Sequence, residues 1–495
     1  MRVGWNLGIT VCVAVSCLVL GRPAPAGEGE QKDDKKEHEK DSGATPKAVP
    51  EPAAKADSKP EEKDAKPRKP ASTNLTVPAD LPADAKKALE EAIEAFKAAE
   101  KATAGSAQAF KQSVAKLKAA SQKASKSPLP LYYLGMAYQG QRNFKEAKTV
   151  LEKAVKLNPQ FHEALVELGD VYVWQKKLKE AIPQYEKALS LEPLYAHALD
   201  NKAFALIQMG DFAGAKTTLL EAEKLQKEPG RVYYMRQVDR EIQGPGWKPT
   251  FTVETENYIV TTGISEEFAK EIANNAELIR RAYNVVFSGI AKPDRKYAIW
   301  VYESVDAYHA AGNSAQALGH YDLRFRKLVV PRQKNKAMTY TVLYHEAFHQ
   351  YLHNYLELAP QWFNEGLGDY FGAFEYSRVA GKEKMLSKPN KGRLNNAQYA
   401  IQAKILPPAA ELMVMSQQEM YEPKMASFHY AESWAIMYFL IQGNKPEYKR
   451  VLISYFDLLR KGKDRNEAYE QTFGKIDMAK FDLEWKGYIA NLSRD

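Results

Sequence analysis

Cysteine is almost missing from this chain: there are two in 495 residues, Cys12 and Cys17. Both fall in an N-terminal segment that reads as removable. The mature chain then forms no disulfide and offers no thiolate to a metal, so any zinc must be held by imidazole and carboxylate. Blocks of one charge sign are also lacking. The 70 Lys and Arg are interspersed with 62 Asp and Glu, and the net charge of +8 is modest for this length. That excludes a nucleic-acid footprint. Long apolar runs are lacking too: Leu7 to Leu20 is shorter than the roughly 20 residues that a bilayer span needs. Between Gly27 and Asn74 large apolar side chains are nearly absent, which excludes a packed core there.

What is present at the N-terminus fits export. Arg2 supplies a positive start, the apolar run follows, and Ala24-Pro25-Ala26 is an A-x-A cleavage site. Residues 1–26 are read as a secretory signal; the alternative is an anchor kept in the mature protein. Lipidation at Cys17 is disfavoured, because Ala14 stands where a bulky aliphatic is expected. A cysteine-free exported protein suits a bacterial envelope, periplasmic or secreted, with no stable membrane span after cleavage. Residues 27–75 are Lys, Glu, Asp, Ala and Pro, a disordered charged linker.

Residues 76–128 are Ala- and Lys-rich with helical spacing. Over 129–228 a pattern recurs every 34 residues. Leu134-Gly135, Tyr138, Phe144, Ala147, Leu151, Ala154 and Pro159 return as Leu168-Gly169, Tyr172, Leu178, Ala181, Tyr185, Ala188 and Pro193. A weaker copy keeps Ala203, Phe212, Ala215, Leu219 and Ala222, and Phe110, Leu117 and Ala120 fit the second helix of a degenerate copy upstream. The pattern resembles the tetratricopeptide repeat, in which small residues let paired helices touch and Pro ends the second one. Such a solenoid offers a groove for a peptide or protein partner, or it serves as a rigid spacer. Gln243-Gly-Pro-Gly246 breaks the periodicity, and 229–250 is read as a linker between separable halves.

From 251 to 495 the pattern changes. Tyr258–Thr262 and Tyr297–Tyr302 read as strands, Tyr321–Val330 as a third strand or hairpin, and Ser265–Phe287 as a long helix capped by Ser265. Helices follow to the end, so the fold class is an all-α solenoid followed by an α+β domain. Within it, His345-Glu346-Ala-Phe-His349 is HExxH. On a helix the two histidines share a face and can hold one metal ion, with Glu346 beside it as a base. The bland alternative is a helix that happens to carry two histidines. Against it stand the apolar neighbours Val342, Leu343, Phe348 and Leu352, which mark a buried helix, and a companion segment, Trp362-Phe-Asn364-Glu365-Gly-Leu-Gly-Asp369. Glu365 supplies the missing ligand. Asp369, one turn on, can accept the second ring N–H of His345 and fix its tautomer. His353 lies eight residues from His345, about 12 Å along a helix, and cannot share its ion.

This His-His-Glu set with Asn364-Glu365…Asp369 resembles the gluzincin metallopeptidases, and more narrowly the peptidase-MA-like family found behind tetratricopeptide repeats in exported bacterial proteins. The resemblance covers about half the chain. It implies a zinc-dependent endopeptidase acting on a polypeptide substrate, with Glu346 as general base. The Gly-x-Met-Glu-Asn segment of the aminopeptidase branch is missing, as is the last His of HExxHxxGxxH, where Tyr355 stands. For the oxyanion donor the candidates are His429 and Tyr430, with His320-Tyr321 as a further pair; the resemblance favours Tyr430. Lys327–Val330 is either an edge strand along which a peptide adds or a core strand. The competing function is a non-catalytic scaffold whose second domain is a structural or inactive zinc module.

Overall fold

A glycine in the first helix of a repeat decides how closely its partner helix can approach. In this computed structural model a Cβ at Gly135 would lie 2.5 Å from Leu151 Cγ, and one at Gly169 would lie 2.5 Å from the Tyr185 ring. Only glycine admits those contacts. Residues 75–101, 109–287, 295–314, 317–356, 359–379 and 382–493 are described. The expected signal segment, and all but the last residue of the charged linker, lie outside them.

The solenoid begins with α1 (Ala83–Lys101) and α2 (Ala109–Lys123), a pair in which Phe110, Leu117 and Ala120 are buried. The repeats follow as α3 (Leu129–Gly140) with α4 (Phe144–Leu157), α5 (His162–Trp174) with α6 (Leu178–Leu191), and α7 (Ala196–Met209) with α8 (Phe212–Leu225). Pro159 and Pro193 stand just beyond α4 and α6, where a continuing helix would clash with them.

The segment 229–250 is not a linker. Its first part is α9 (Pro229–Gln243), packed on α8. Pro229 suits the first turn, and Arg231, Tyr234 and Val238 are buried. The Gly-Pro-Gly break falls where expected, with Gly244 and Gly246 at φ +76° and +75°, conformations open to glycine. The two halves pack against each other across it, however. From Thr76 to Asp495 the chain is one unit. Phe325, from the second half, sits in the core of Leu206, Ile207, Leu219 and Tyr234, and Lys327 pairs with Glu241 where both are buried.

The second half opens with β1 (Phe251–Glu254), β2 (Tyr258–Thr262), α10 (Glu266–Val286), β3 (Tyr297–Tyr302), α11 (Val305–Ala310), β4 (His320–Asp322) and β5 (Lys327–Pro331). Ser265 caps α10, accepting from Phe268 N at 3.1 Å. The strands form one sheet in the order β1-β2-β3-β5-β4, in which β2, β3 and β5 are parallel and β1 and β4 are antiparallel to their neighbours. Pairing on both sides makes Lys327–Pro331 a core strand, and the edge falls to β4.

The helical remainder is α12 (Lys336–His353), α13 (Gln361–Gly372), a hairpin of β6 (Glu375–Val379) and β7 (Lys382–Leu386), then α14 (Lys391–Ala403), α15 (Ala409–Val414), α16 (Gln417–Met420), α17 (Ala426–Gln442), α18 (Pro446–Arg460), α19 (Arg465–Gln471) and α20 (Met478–Ala490). One apolar core runs from the sheet and α10 through α12, α13 and α17 to α20, and Trp362, Trp434 and Trp485 are fully buried in it.

Candidate metal centre

The centre is built where α13 slides unusually close to α12 and α17. A Cβ at Gly368 would lie 2.9 Å from His345 Cε1, and one at Gly366 would lie 2.5 Å from the Ser433 carbonyl oxygen. With no side chain at either position, α13 enters between its neighbours and delivers Glu365 and Asp369 to the HExxH face. His345, Glu346, His349, Glu365 and Asp369 are each at most 4% exposed. So many polar groups under one core need mutual partners or an ion.

The donors converge. One ligand atom each from His345, Glu346 and His349 lie within 4.8 Å of one another. Glu365 Oε2 stands 3.6 Å from His345 Nε2 and 3.8 Å from His349 Nε2. Tetrahedral zinc with bonds near 2.0–2.1 Å sets its ligand atoms about 3.4 Å apart, and the two Glu365–histidine distances are near that spacing. His345 Nε2 and Glu365 Oε2 are buried with no hydrogen-bond partner among the described residues. Atoms left this way inside a core suit a cation they both face.

Outer contacts fix each of these three side chains. His345 Nδ1 lies 3.2 Å from Asp369 Oδ1, and Arg393 Nε donates to Asp369 Oδ2 at 2.5 Å. His349 Nδ1 lies 2.9 Å from Asn364 Oδ1, an acceptor, so Nδ1 carries the proton and Nε2 turns its lone pair inward. Asn364 Nδ2 donates to Glu365 Oε1 at 3.3 Å, and the Tyr421 hydroxyl lies 3.4 Å from the same oxygen. Glu365 is thereby left with Oε2 for the cavity, and Glu346 is the remaining carboxylate of the cluster.

The electrostatics are polarised. Burial pushes the His345 imidazolium down, but Asp369 and Glu365 outweigh it and hold its pKa at about 10. Burial drives His349 to about 4 against the pull of Glu365. Despite burial, Glu365 is held below the usual carboxylate range by His349 and His345, and Asp369 by Arg393 and His345. The two imidazoles are thus driven in opposite directions, His345 toward its charged form and His349 toward its neutral one.

The site residues expected from sequence are brought together: His345, His349, Glu365, Glu346 and Asp369. Tyr430 is buried close behind them. Its ring lies under the Arg393 guanidinium at 4.9 Å and 6.1 Å from the Tyr421 ring. Burial, then Glu365, push that phenol well above its ordinary value. His429 turns elsewhere, its Nδ1 lying 3.2 Å from the Met420 carbonyl oxygen. His320 Nδ1 meets the Tyr308 hydroxyl at 2.6 Å, and His353 Nδ1 meets the Tyr321 hydroxyl at 2.8 Å. Three contributors are not singled out by the sequence. Asn364 stands there only as part of a motif, and Arg393 and Tyr421 lie 24 and 56 residues beyond the groups they touch.

Fold and comparison agree on the class: a helical tetratricopeptide solenoid followed by a mixed α/β region. The tetratricopeptide repeat family matches residues 132–197. A second family, described as a protein of unknown function (DUF1570), matches residues 339–456, the stretch that carries the whole cluster from His345 to Tyr430. No curated protein matches the chain. Solved structures match over the repeats. The first tetratricopeptide domain of Spaghetti (RPAP3), bound to the HSP90 peptide SRMEEVD, is 19% identical, with 24% of this chain and 96% of that chain covered and a TM-score of 0.24. TTC0263, a tetratricopeptide protein of Thermus thermophilus, is 14% identical over 32% of this chain and 82% of that one, with a TM-score of 0.27. MamA from Desulfovibrio magneticus RS-1 is 18% identical over 32% and 92%, with a TM-score of 0.26. The repeat family is one whose stacked helices form binding surfaces for protein partners. No helix among the described residues is long and apolar enough to cross a membrane.

Proposed function

We propose that this is an exported, zinc-dependent hydrolase of peptide bonds, with repeats that recruit its polypeptide substrate or a partner. The observation that carries the reading is the buried convergence of His345, His349 and Glu365 beside a further acid, Glu346. A structural zinc site closes on four ligands and needs no extra carboxylate, whereas a catalytic site keeps three protein ligands and an open position.

A zinc ion held by His345, His349 and Glu365 supplies Lewis acidity and an acidified water. The chain's own residues do the rest. The Glu346 carboxylate accepts the proton of the attacking water and returns it to the departing nitrogen. Asp369 and Asn364 hold the two imidazoles in the tautomer that presents Nε2. Tyr430, a buried phenol within reach of the Glu365 charge, is the donor we assign to the developing oxyanion. The open side of β4 suits an extended chain, since a peptide can add there as a further strand. Export rests on the signal-like residues 1–26 and places the activity in the periplasm or outside the cell.

A second reading, an interaction scaffold whose α/β region is a structural or inactive zinc module, is the one that the comparisons favour, since only the repeats match proteins of known character. One variant separates the two. Glu346→Gln keeps the ligands and should retain one zinc per chain by elemental analysis while losing roughly 10²–10⁴-fold in casein cleavage. Pulled from an envelope extract, it should retain a polypeptide that the wild type releases cleaved. Equal retention of the same uncleaved partner by both proteins establishes the scaffold. Absence of zinc from the wild type, or its full retention by the His345→Ala, His349→Ala double variant, removes the metal reading altogether.

A further inference from the structure

The β4–β5 hairpin faces the metal centre on one side and the solenoid on the other. On the first side, β4 runs along α12. At its start, Gly319 abuts Val342: a Cβ there would lie 2.5 Å from Val342 Cγ1. At its middle, the Tyr321 hydroxyl reaches His353 Nδ1 at 2.8 Å. Val342 and His353 bracket His345 and His349 on the same helix, so this short edge strand lies alongside the metal centre.

On the other side, the hairpin is gripped by the repeats. Gln208 Nε2 donates to the Leu323 and Arg324 carbonyl oxygens, at 3.2 and 2.8 Å, across the hairpin's turn. Phe325, 2% exposed, fills the core made by α7, α8 and α9. Lys176, in the turn between α5 and α6, places Nζ 2.9 Å from His353 Nε2. With the ammonium as donor, Nε2 must accept, so Nδ1 carries the ring proton and donates to the Tyr321 oxygen. Lys176 thereby sets the tautomer through which α12 holds β4.

We propose that Lys176 and Gln208, both in the solenoid, are positioning residues of the metal cleft: they hold the edge strand β4 in register beside the HExxH helix. The proposal deepens the hydrolase reading and rests on it for its kinetic consequence, though not for its structural one. A substrate strand aligned on β4 is bound alike in ground and transition states, so loosening the strand raises KM and leaves kcat in place.

The test uses full-length protein with zinc bound. In the Lys176→Met, Gln208→Ala double variant, which removes three hydrogen bonds, amide exchange across residues 320–331 should speed up about tenfold or more. Exchange in α17 and α20, and zinc content, should not change. Lys176→Arg, which keeps a donor, should exchange like wild type. With fluorescein-labelled casein the double variant should show KM raised about tenfold and kcat within about twofold. Unchanged protection at 320–331, or faster exchange with unaltered KM, overturns the proposal. If zinc-loaded wild type cleaves no casein, the hydrolase reading fails, and the exchange result alone decides whether the solenoid holds the strand.

Discussion

Each half of this molecule buries an aspartate–arginine pair, and the two pairs end differently. In the solenoid, Arg231 grips Asp200 as a fork, Nε on Oδ1 and Nη2 on Oδ2, both at 2.8 Å. In the second half, Arg393 Nε takes only Oδ2 of Asp369, and Oδ1 faces His345. A fork that uses both carboxylate oxygens ties two helices together, and Arg231 Nη1 extends the tie to Glu223 Oε2 at 2.9 Å. A pair left half open passes its negative charge to a third group. The same residue types thus tie helices in one place and face a buried imidazole in the other, and the oxygen turned toward His345 tells them apart. The glycines repeat the contrast: Gly169 makes room for a tyrosine ring of the solenoid core, Gly368 for the imidazole of His345.

The comparison can be broken at several points. Arg231→Leu removes the buried fork on Asp200 and should cost about 3–5 kcal/mol of stability, read by urea unfolding, while zinc stoichiometry is untouched. Asp369→Asn should lower zinc affinity about 10–100-fold in a chelator competition, with a smaller change in unfolding midpoint. Should the two variants lose metal equally, the distinction between closed and open pairs is wrong. The smallest effects belong to the glycines. Gly169→Ala adds a methyl against Tyr185 and should cost about 1–3 kcal/mol through overpacking, with normal zinc binding. Gly368→Ala adds one against His345, and its effect should appear first in zinc affinity. A purely thermal phenotype for Gly368→Ala would mean that the close approach there serves packing alone.

Much of this is legible in the sequence because it is local. Helical spacing locates His345, Glu346 and His349 on one face, a turn's separation links Glu365 to Asp369, and the 34-residue recurrence places the repeats. What escapes is either long-range or weakly patterned. Arg393 sits in Lys391-Gly-Arg-Leu, a polar helix start that carries no mark of a buried cation. Tyr421 follows a helix of four residues, too short to show a period. The helix α9 reads as linker because the Gly-Pro-Gly break after it draws the boundary backwards, although Arg231, Tyr234 and Val238 point one face into the core. Lys327–Val330 has the apolar run of either an edge or a core strand, and only the pairing with β3 and β4 decides between them.

Stacked repeats expose apolar surface at each end of the array, and solenoids stay soluble by finishing with a polar capping element. Here Phe325 fills the C-terminal end of the stack, beside Leu206, Ile207 and Tyr234. The second half of the chain is therefore the solenoid's lid as well as its neighbour. A fragment ended at Gln243 would face water with an unfinished apolar surface, and sedimentation should find it self-associating where the full chain is not. Losing the α/β region by truncation would thus uncover the end of the repeat array as well as remove the His345 cluster.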